Sequence, residues 1–178
     1  NNSANPVLSI RKEGNTPAWG AVYEQYFQEI DKVKGQKGVL SVEKKLFVET
    51  NNGTNRQIRP VTPEQPLRIG DKVIVRLTIR TDREMDYVFL KDLRAGCFEP
   101  ADQLSGTESR DSIWYYRSPK DVSENFFINR LPEGTFVLEY PVYVSRSGEY
   151  AGGISTIQCM YAPEFVSHTA GESLRIMP

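Results

Sequence analysis

The chain has 178 residues, 39% hydrophobic and 25% charged, with 22 Lys+Arg against 23 Asp+Glu and a formal net charge of −1. That balance, with basic residues scattered rather than clustered, excludes the electrostatic footprint of a nucleic-acid or anionic-membrane binder. No run approaches the ~20 apolar residues of a membrane helix, so direct membrane insertion by this chain is not expected. The start, Asn1-Asn2-Ser3-Ala4-Asn5-Pro6, carries neither an initiator Met nor a signal peptide, and the chain reads as a piece of something longer.

In chain order, the first 35 residues are ambiguous. Trp19, Val22, Tyr23, Tyr26, Phe27, Ile30 and Val33 lie at helical spacing, followed by Gly35 and Gly38 as stops. The same stretch also alternates as a strand through Trp19, Ala21, Tyr23 and Phe27, with Gly14-Asn15 able to turn it back toward Val7, Leu8 and Ile10. Gly35 to Gly38 is the best candidate for a boundary.

From Val39 onward the dominant period is two, the mark of half-buried strands. Leu40, Val42, Leu46 and Val48 alternate, interrupted only by Lys44, and Asn52-Gly53 is the strongest hairpin signal. Its return arm, Arg56 to Val61, runs into Pro60, Pro63 and Pro66 and reads as an edge strand. Lys72 to Arg80 is the clearest strand: Val73, Val75, Leu77 and Ile79 face one way, and Lys72, Arg76, Thr78 and Arg80 the other. Tyr87 to Leu90 forms another. Phe126-Phe127-Ile128 is expected to pair as a hairpin, across Leu131-Pro132-Glu133-Gly134, with the long alternating run Phe136, Leu138, Tyr140, Val142, Val144. Ile154 to Tyr161 and Ser173 to Met177 complete about seven strands. The expected fold is all-β, an antiparallel β-sandwich of immunoglobulin-like or macroglobulin-like type, preceded by a short extended N-terminal segment.

Signals for chemistry are sparse. The single histidine, His168, excludes histidine-rich metal sites and leaves a catalytic triad hanging on one residue. Cys97 and Cys159 form no C-x-x-C pair and are expected to be free and buried. Gly148, Gly152 and Gly153 are turn glycines, not a phosphate loop. The comb Asp82, Glu84, Asp86 has the spacing of a calcium loop but is read as a solvated turn, with Arg83 opposing a cation. No residue is thus expected to be catalytic, to ligate a metal or to hold a cofactor. Trp114-Tyr115-Tyr116 stands out, because three consecutive aromatics on a strand cannot all enter one core. At least one faces outward, as a sugar platform or protein-contact anchor, or else packs beneath a loop such as Ala101 to Arg110.

Three segments together carry a resemblance: Ala18-Trp19-Gly20-Ala21-Val22-Tyr23-Glu24-Gln25-Tyr26-Phe27, Leu40-Ser41-Val42-Glu43-Lys44-Lys45-Leu46-Phe47, and Thr156-Ile157-Gln158-Cys159-Met160-Tyr161-Ala162-Pro163-Glu164-Phe165. Gly70-Asp71-Lys72-Val73, Leu90 to Ala95 with Phe98-Glu99-Pro100, and Asn125-Phe126-Phe127 with Leu131 to Thr135 support it. The chain resembles the C-terminal end of bacterial alpha-2-macroglobulin-like proteins, particularly the large envelope proteins of Bacteroides-type bacteria. The resemblance implies that residues 36–178 are the last macroglobulin-like sandwich and residues 1–35 a strand returning from a thioester-bearing domain, which favours strand over helix at Trp19 to Phe27. It implies a periplasmic or surface location and a trap that collapses on a peptidase after bait cleavage. Its partners would be the other domains of the chain and the trapped peptidase. The Cys-Gly-Glu-Gln motif of thioester-bearing members is absent here. The reading is a non-catalytic interaction domain whose contact surface comprises Trp114, Tyr115, Tyr116, Trp19 and Tyr23. The alternative from another class is a carbohydrate-binding sandwich using exposed aromatics.

Overall fold

The computed structural model describes residues 9–20, 25–52 and 55–178. Its regular structure is a single 3₁₀ turn, Ile30–Lys32, followed by fourteen strands. One sheet is built on β4 (Lys72–Thr81), flanked by β1 (Ser41–Asn52) and β10 (Gly134–Val144), with β2 (Asn55–Pro60) at one edge and β6 (Phe98–Pro100) at the other. The alternating residues read from the sequence fall into register across it. Leu46, Val75 and Tyr140 form one row, and Val48, Val73 and Val142 the next. All six are buried.

The facing sheet has six strands in the order β13 (Ala162–His168), β12 (Ser155–Cys159), β5 (Met85–Leu93), β9 (Ser123–Leu131), β8 (Ile113–Pro119), β7 (Gly106–Arg110). Its inward face supplies Val88, Leu90, Ile113, Tyr115, Phe126, Ile128 and Ile157. Together the two inward faces make one continuous core. A small third sheet, β11 (Gly148–Ala151), β14 (Ser173–Met177) and β3 (Leu67–Arg68), closes one end and contains the parallel pairing β14–β3.

The all-β sandwich is therefore as expected, but the strand count is double the sequence estimate. The difference lies in short elements with no alternation to betray them: β3, β6, β7 and β11 have two to five residues each. The hairpin β1–β2 forms with Asn52 opposite Asn55, and β2 is an edge strand. Gly53 and Thr54 lie outside the described residues.

The expected β9–β10 hairpin does not form. β9 pairs with β5 and β8, whereas β10 pairs with β4 and β6. The chain changes sheets at Pro132-Glu133, beside the crossing at 82–84. Thr81 pairs Gly134 in one sheet and Met85 pairs Leu131 in the other. The physical reason is that both runs carry large inward side chains, which meet across the core instead of edge to edge. The Phe126 and Tyr140 rings sit 6.1 Å apart between the sheets.

Glu29 and Val33, on either side of the 3₁₀ turn, are extended, and Trp19, Tyr26 and Phe27 lie in neither helix nor strand. Ala21 to Glu24, and with them Tyr23, lie outside the described residues, as do Val7 and Leu8. Residues 29–38 run along the β13–β14 connection. Gln36 and His168 form a two-bond antiparallel bridge, Gly171 N donates to Val33 O at 2.8 Å, and Ser173 Oγ donates to Asp31 at 3.0 Å. A Cβ at Gly171 would lie 1.8 Å from Ile30 O, so only glycine permits this approach.

Candidate functional site

The break in alternation at Lys44 marks a polar nest inside the sandwich. Lys44 occupies an inward register position opposite Leu77, and its side chain is 4% exposed. Its ammonium donates to Asp92 Oδ1 at 2.8 Å, Leu93 O at 2.9 Å and Gly152 O at 3.2 Å. Three donors thus meet three acceptors, which a buried ammonium requires. Asp92 is fully buried on β5 and also accepts from Ser155 Oγ at 2.8 Å and from the Tyr140 hydroxyl. Burial, then the Asp92 charge, hold the Tyr140 phenol well above its usual range, so it is a donor at any physiological pH. The nest ties β1 and β10 of one sheet to β5 and β12 of the other.

A second nest lies farther along the six-stranded sheet. Glu124 accepts from Arg117 Nε at 2.7 Å and Arg94 Nη2 at 3.1 Å, and its carboxylate is fully buried. Arg94 also donates to the carbonyls of Lys120 and Asp121, each at 2.9 Å. Burial pulls the Arg117 guanidinium down, but Glu124, Glu108 and Asp102 outweigh it, and it is held above its ordinary value. Tyr115 donates to Glu108 at 3.0 Å; burial, then that carboxylate, push its phenol up to about 12. Sequence reasoning missed both nests. Their signals were present: one lysine inside an apolar set, and charged residues at inward positions of otherwise alternating strands.

The aromatic triplet divides as the pleat requires. Tyr115 is buried, ring to ring with Phe126 at 5.8 Å, while Trp114 and Tyr116 face outward. No long loop covers them, because Gly106–Arg110 forms the edge strand β7 paired to β8. Trp19, 96% exposed, lies well before this pair in the sequence, in the N-terminal segment. Another exposed pair, Tyr87 and Tyr161, meets edge to face at 5.1 Å beside the β12–β13 turn.

Elsewhere the candidate chemistry is occupied. His168 Nδ1 lies 3.1 Å from Thr169 O, and Ser167 is buried with its hydroxyl unpartnered. Cys97 and Cys159 are free and buried, as expected, and burial pushes the Cys97 thiol up to about 11. In the acidic comb, Asp82 accepts from Arg83 at 2.8 Å and Glu84 from Arg130 at 2.7 Å. Among the described residues there is no group of three or more His, Cys, Asp or Glu able to hold a metal ion, and no helix long and apolar enough to cross a membrane.

The family model described as the bacterial alpha-2-macroglobulin MG10 domain matches residues 40–164, from the entry to β1 into β13. The chain belongs to that family. Among solved structures it is similar to Salmonella alpha-2-macroglobulin reacted with methylamine, with a TM-score of 0.64 and 24% identity over 82% of this chain and 10% of that one. It is also similar to native Escherichia coli alpha-2-macroglobulin spanning domain MG7 to the C-terminus, at TM-score 0.64 and 18% identity over 81% of this chain and 24% of that one. Escherichia coli alpha-2-macroglobulin activated by porcine elastase gives TM-score 0.63 and 18% identity, over 82% and 14%. At these identities the likeness is one of fold. A Dictyostelium discoideum protein, circularly permutated Ras protein 2, shares 29% identity over 113 residues, 61% of this chain and 3% of its own length. The MG10 chain therefore spans a small fraction of the proteins it resembles.

Proposed function

We infer that this MG10 domain is a non-catalytic structural and interaction module of a longer peptidase-trapping protein of the cell envelope. The observation that carries this reading is the family match across the core of the sandwich, residues 40–164. A solved relative is described as activated by porcine elastase, which fits a peptidase as the partner of the whole molecule. The domain's contribution is mechanical. The Lys44–Asp92 nest cross-braces the two sheets, the Glu124 nest ties β8 and β9 to the end of β5, and exposed rings at Trp19, Trp114, Tyr116 and Tyr161 offer flat, rigid contact surfaces to neighbouring domains. Residues 1–35 would be the connection arriving from the preceding domain. Covalent capture is not attributed to this module, since neither cysteine lies in a Cys-Gly-Glu-Gln motif.

The test uses the full-length protein with and without residues 36–178, incubated with a panel of endopeptidases. The intact protein is expected to compact after cleavage and shield the peptidase from large but not small substrates, and the truncated one to lose this. Equal trapping by both, or hydrolysis of peptide or ester substrates by the 178-residue chain alone, overturns the reading.

A further inference from the structure

The outward face of the six-stranded sheet carries an aromatic surface that the core does not use. Trp114 and Tyr116 stand two residues apart on β8 and so share that face. Tyr116 lies opposite Phe127 of β9, and Phe127 opposite Phe89 of β5. The two phenylalanines stack at 4.9 Å with 25° between planes, and Tyr116 tilts at 47° to Phe127 with centroids 6.4 Å apart. Phe127 is thus supported from the side by its neighbours, while Trp114 remains 68% exposed.

Trp114, Tyr116 and Phe127 line an open cleft of about 460 Å³ together with Glu84, Asn129 and Arg130 at the corner where the chain changes sheets. That volume falls within the range of small-ligand sites, roughly 300–1,000 Å³. Glu84 and Arg130 pair at 2.7 Å, so the charges at the cleft cancel. A phosphate or a cation would have to break that pair before finding a counter-charge. What the cleft offers instead is aromatic faces beside a fan of planar donors and acceptors: a guanidinium, an amide and a carboxylate. A pyranose matches both halves, because its C–H face stacks on rings while its hydroxyls donate and accept at the same time.

The β7–β8 hairpin turns through Asp111 and Ser112 at φ 50° and 69°, the left-handed pair that a two-residue hairpin uses, and it sets Trp114 directly after the turn on the outward face.

We propose that this cleft binds a neutral hexopyranose unit of a glycan, stacked on Trp114 and Tyr116 and hydrogen-bonded by Asn129 and the Glu84–Arg130 pair. The site takes up Trp114 and Tyr116, two of the rings that the trap reading offers to neighbouring domains, but that reading is carried by the family match over residues 40–164, which failure of glycan binding would leave untouched.

The experiment is titration calorimetry of the 178-residue chain with neutral hexasaccharides of glucose, mannose, galactose and N-acetylglucosamine. Fluorescence of a Trp19→Phe variant accompanies it, since Trp114 is then the only tryptophan of the two the chain contains. At least one hexasaccharide is expected to bind saturably and shift the Trp114 emission. Trp114→Ala should weaken binding about tenfold or more, Asn129→Ala should weaken it too, and Tyr143→Ala, an exposed ring on the other sheet, should leave it unchanged. Because Trp114 is exposed, its variant is expected to fold, which far-UV circular dichroism checks. No saturable binding of any neutral hexasaccharide, an unchanged affinity in Trp114→Ala, or binding confined to sulfated glycans and abolished by salt would overturn the proposal.

Discussion

Removing either partner of the Lys44–Asp92 pair tests whether the interior nest is structural. Nζ and Oδ1 are 2.8 Å apart and both side chains are almost wholly enclosed. At an effective dielectric constant near 20 their attraction is about 6 kcal/mol, set against several kcal/mol of desolvation for each ion. The pair as a whole therefore contributes little net stability, but breaking it strands a charge. Lys44→Met leaves the Asp92 carboxylate with only the Ser155 and Tyr140 hydroxyls, and Asp92→Asn leaves the ammonium with neutral acceptors. Each is expected to cost about 3–5 kcal/mol, lowering Tm by about 6–20 °C for a chain of this size. The double variant Lys44→Met/Asp92→Asn should cost at least about 2 kcal/mol less than the sum.

Urea unfolding should be followed by far-UV circular dichroism, because both tryptophans are exposed and report poorly on the core. Single-variant costs under about 1 kcal/mol, or additivity within about 0.5 kcal/mol, would refute the reasoning.

Val75→Asp places an unpaired charge at a position 1% exposed and should cost several kcal/mol or prevent folding; Arg80→Asp, at an exposed position on the outward face opposite Ser41 and Thr135, should cost much less, and equal damage in denaturant titration would mean the strand's faces are misassigned. Cys97, with its thiol pushed up to about 11 by burial, should resist an aromatic disulfide reagent at pH 8 in the folded state and react fully in denaturant; prompt reaction in the folded state would contradict its burial. Gly171→Ala should displace residues 29–36, raising amide exchange there while β4 and β9 stay protected, since the new Cβ meets the Ile30 carbonyl; unchanged exchange would show that the segment is not held by that contact. Burial raises the Glu139 carboxyl, but hydrogen bonds from Arg76 and Arg110 win and hold it below 4.5. Its contribution is then present above that pH and lost as pH falls through the lower folded value, so Glu139→Gln should flatten the acid limb of Tm against pH.

Local alternation determined much of this protein before any tertiary contact was known. Val73, Val75, Leu77 and Ile79 could bury only one face of β4, and Tyr115 had to turn away from Trp114 and Tyr116, because a pleat reverses side chains at every residue. Such rules act over two or three residues and need no partner. Pairing is a different matter. Whether β9 joins β10 in one sheet or faces it across the core depends on which edges are free once β4, β5 and β8 are in place, and a tight turn such as Pro132-Glu133 is compatible with either. Short strands such as β3 and β11 owe their conformation to neighbours rather than to their own residues. The same holds for the interior charges. Lys44 could be noticed as an interruption, yet only folding brings it to Asp92, 48 residues away, and to the carbonyl of Gly152 beyond that. A buried charge is tolerable only when distant segments supply its partners together, so its role belongs to the tertiary structure alone.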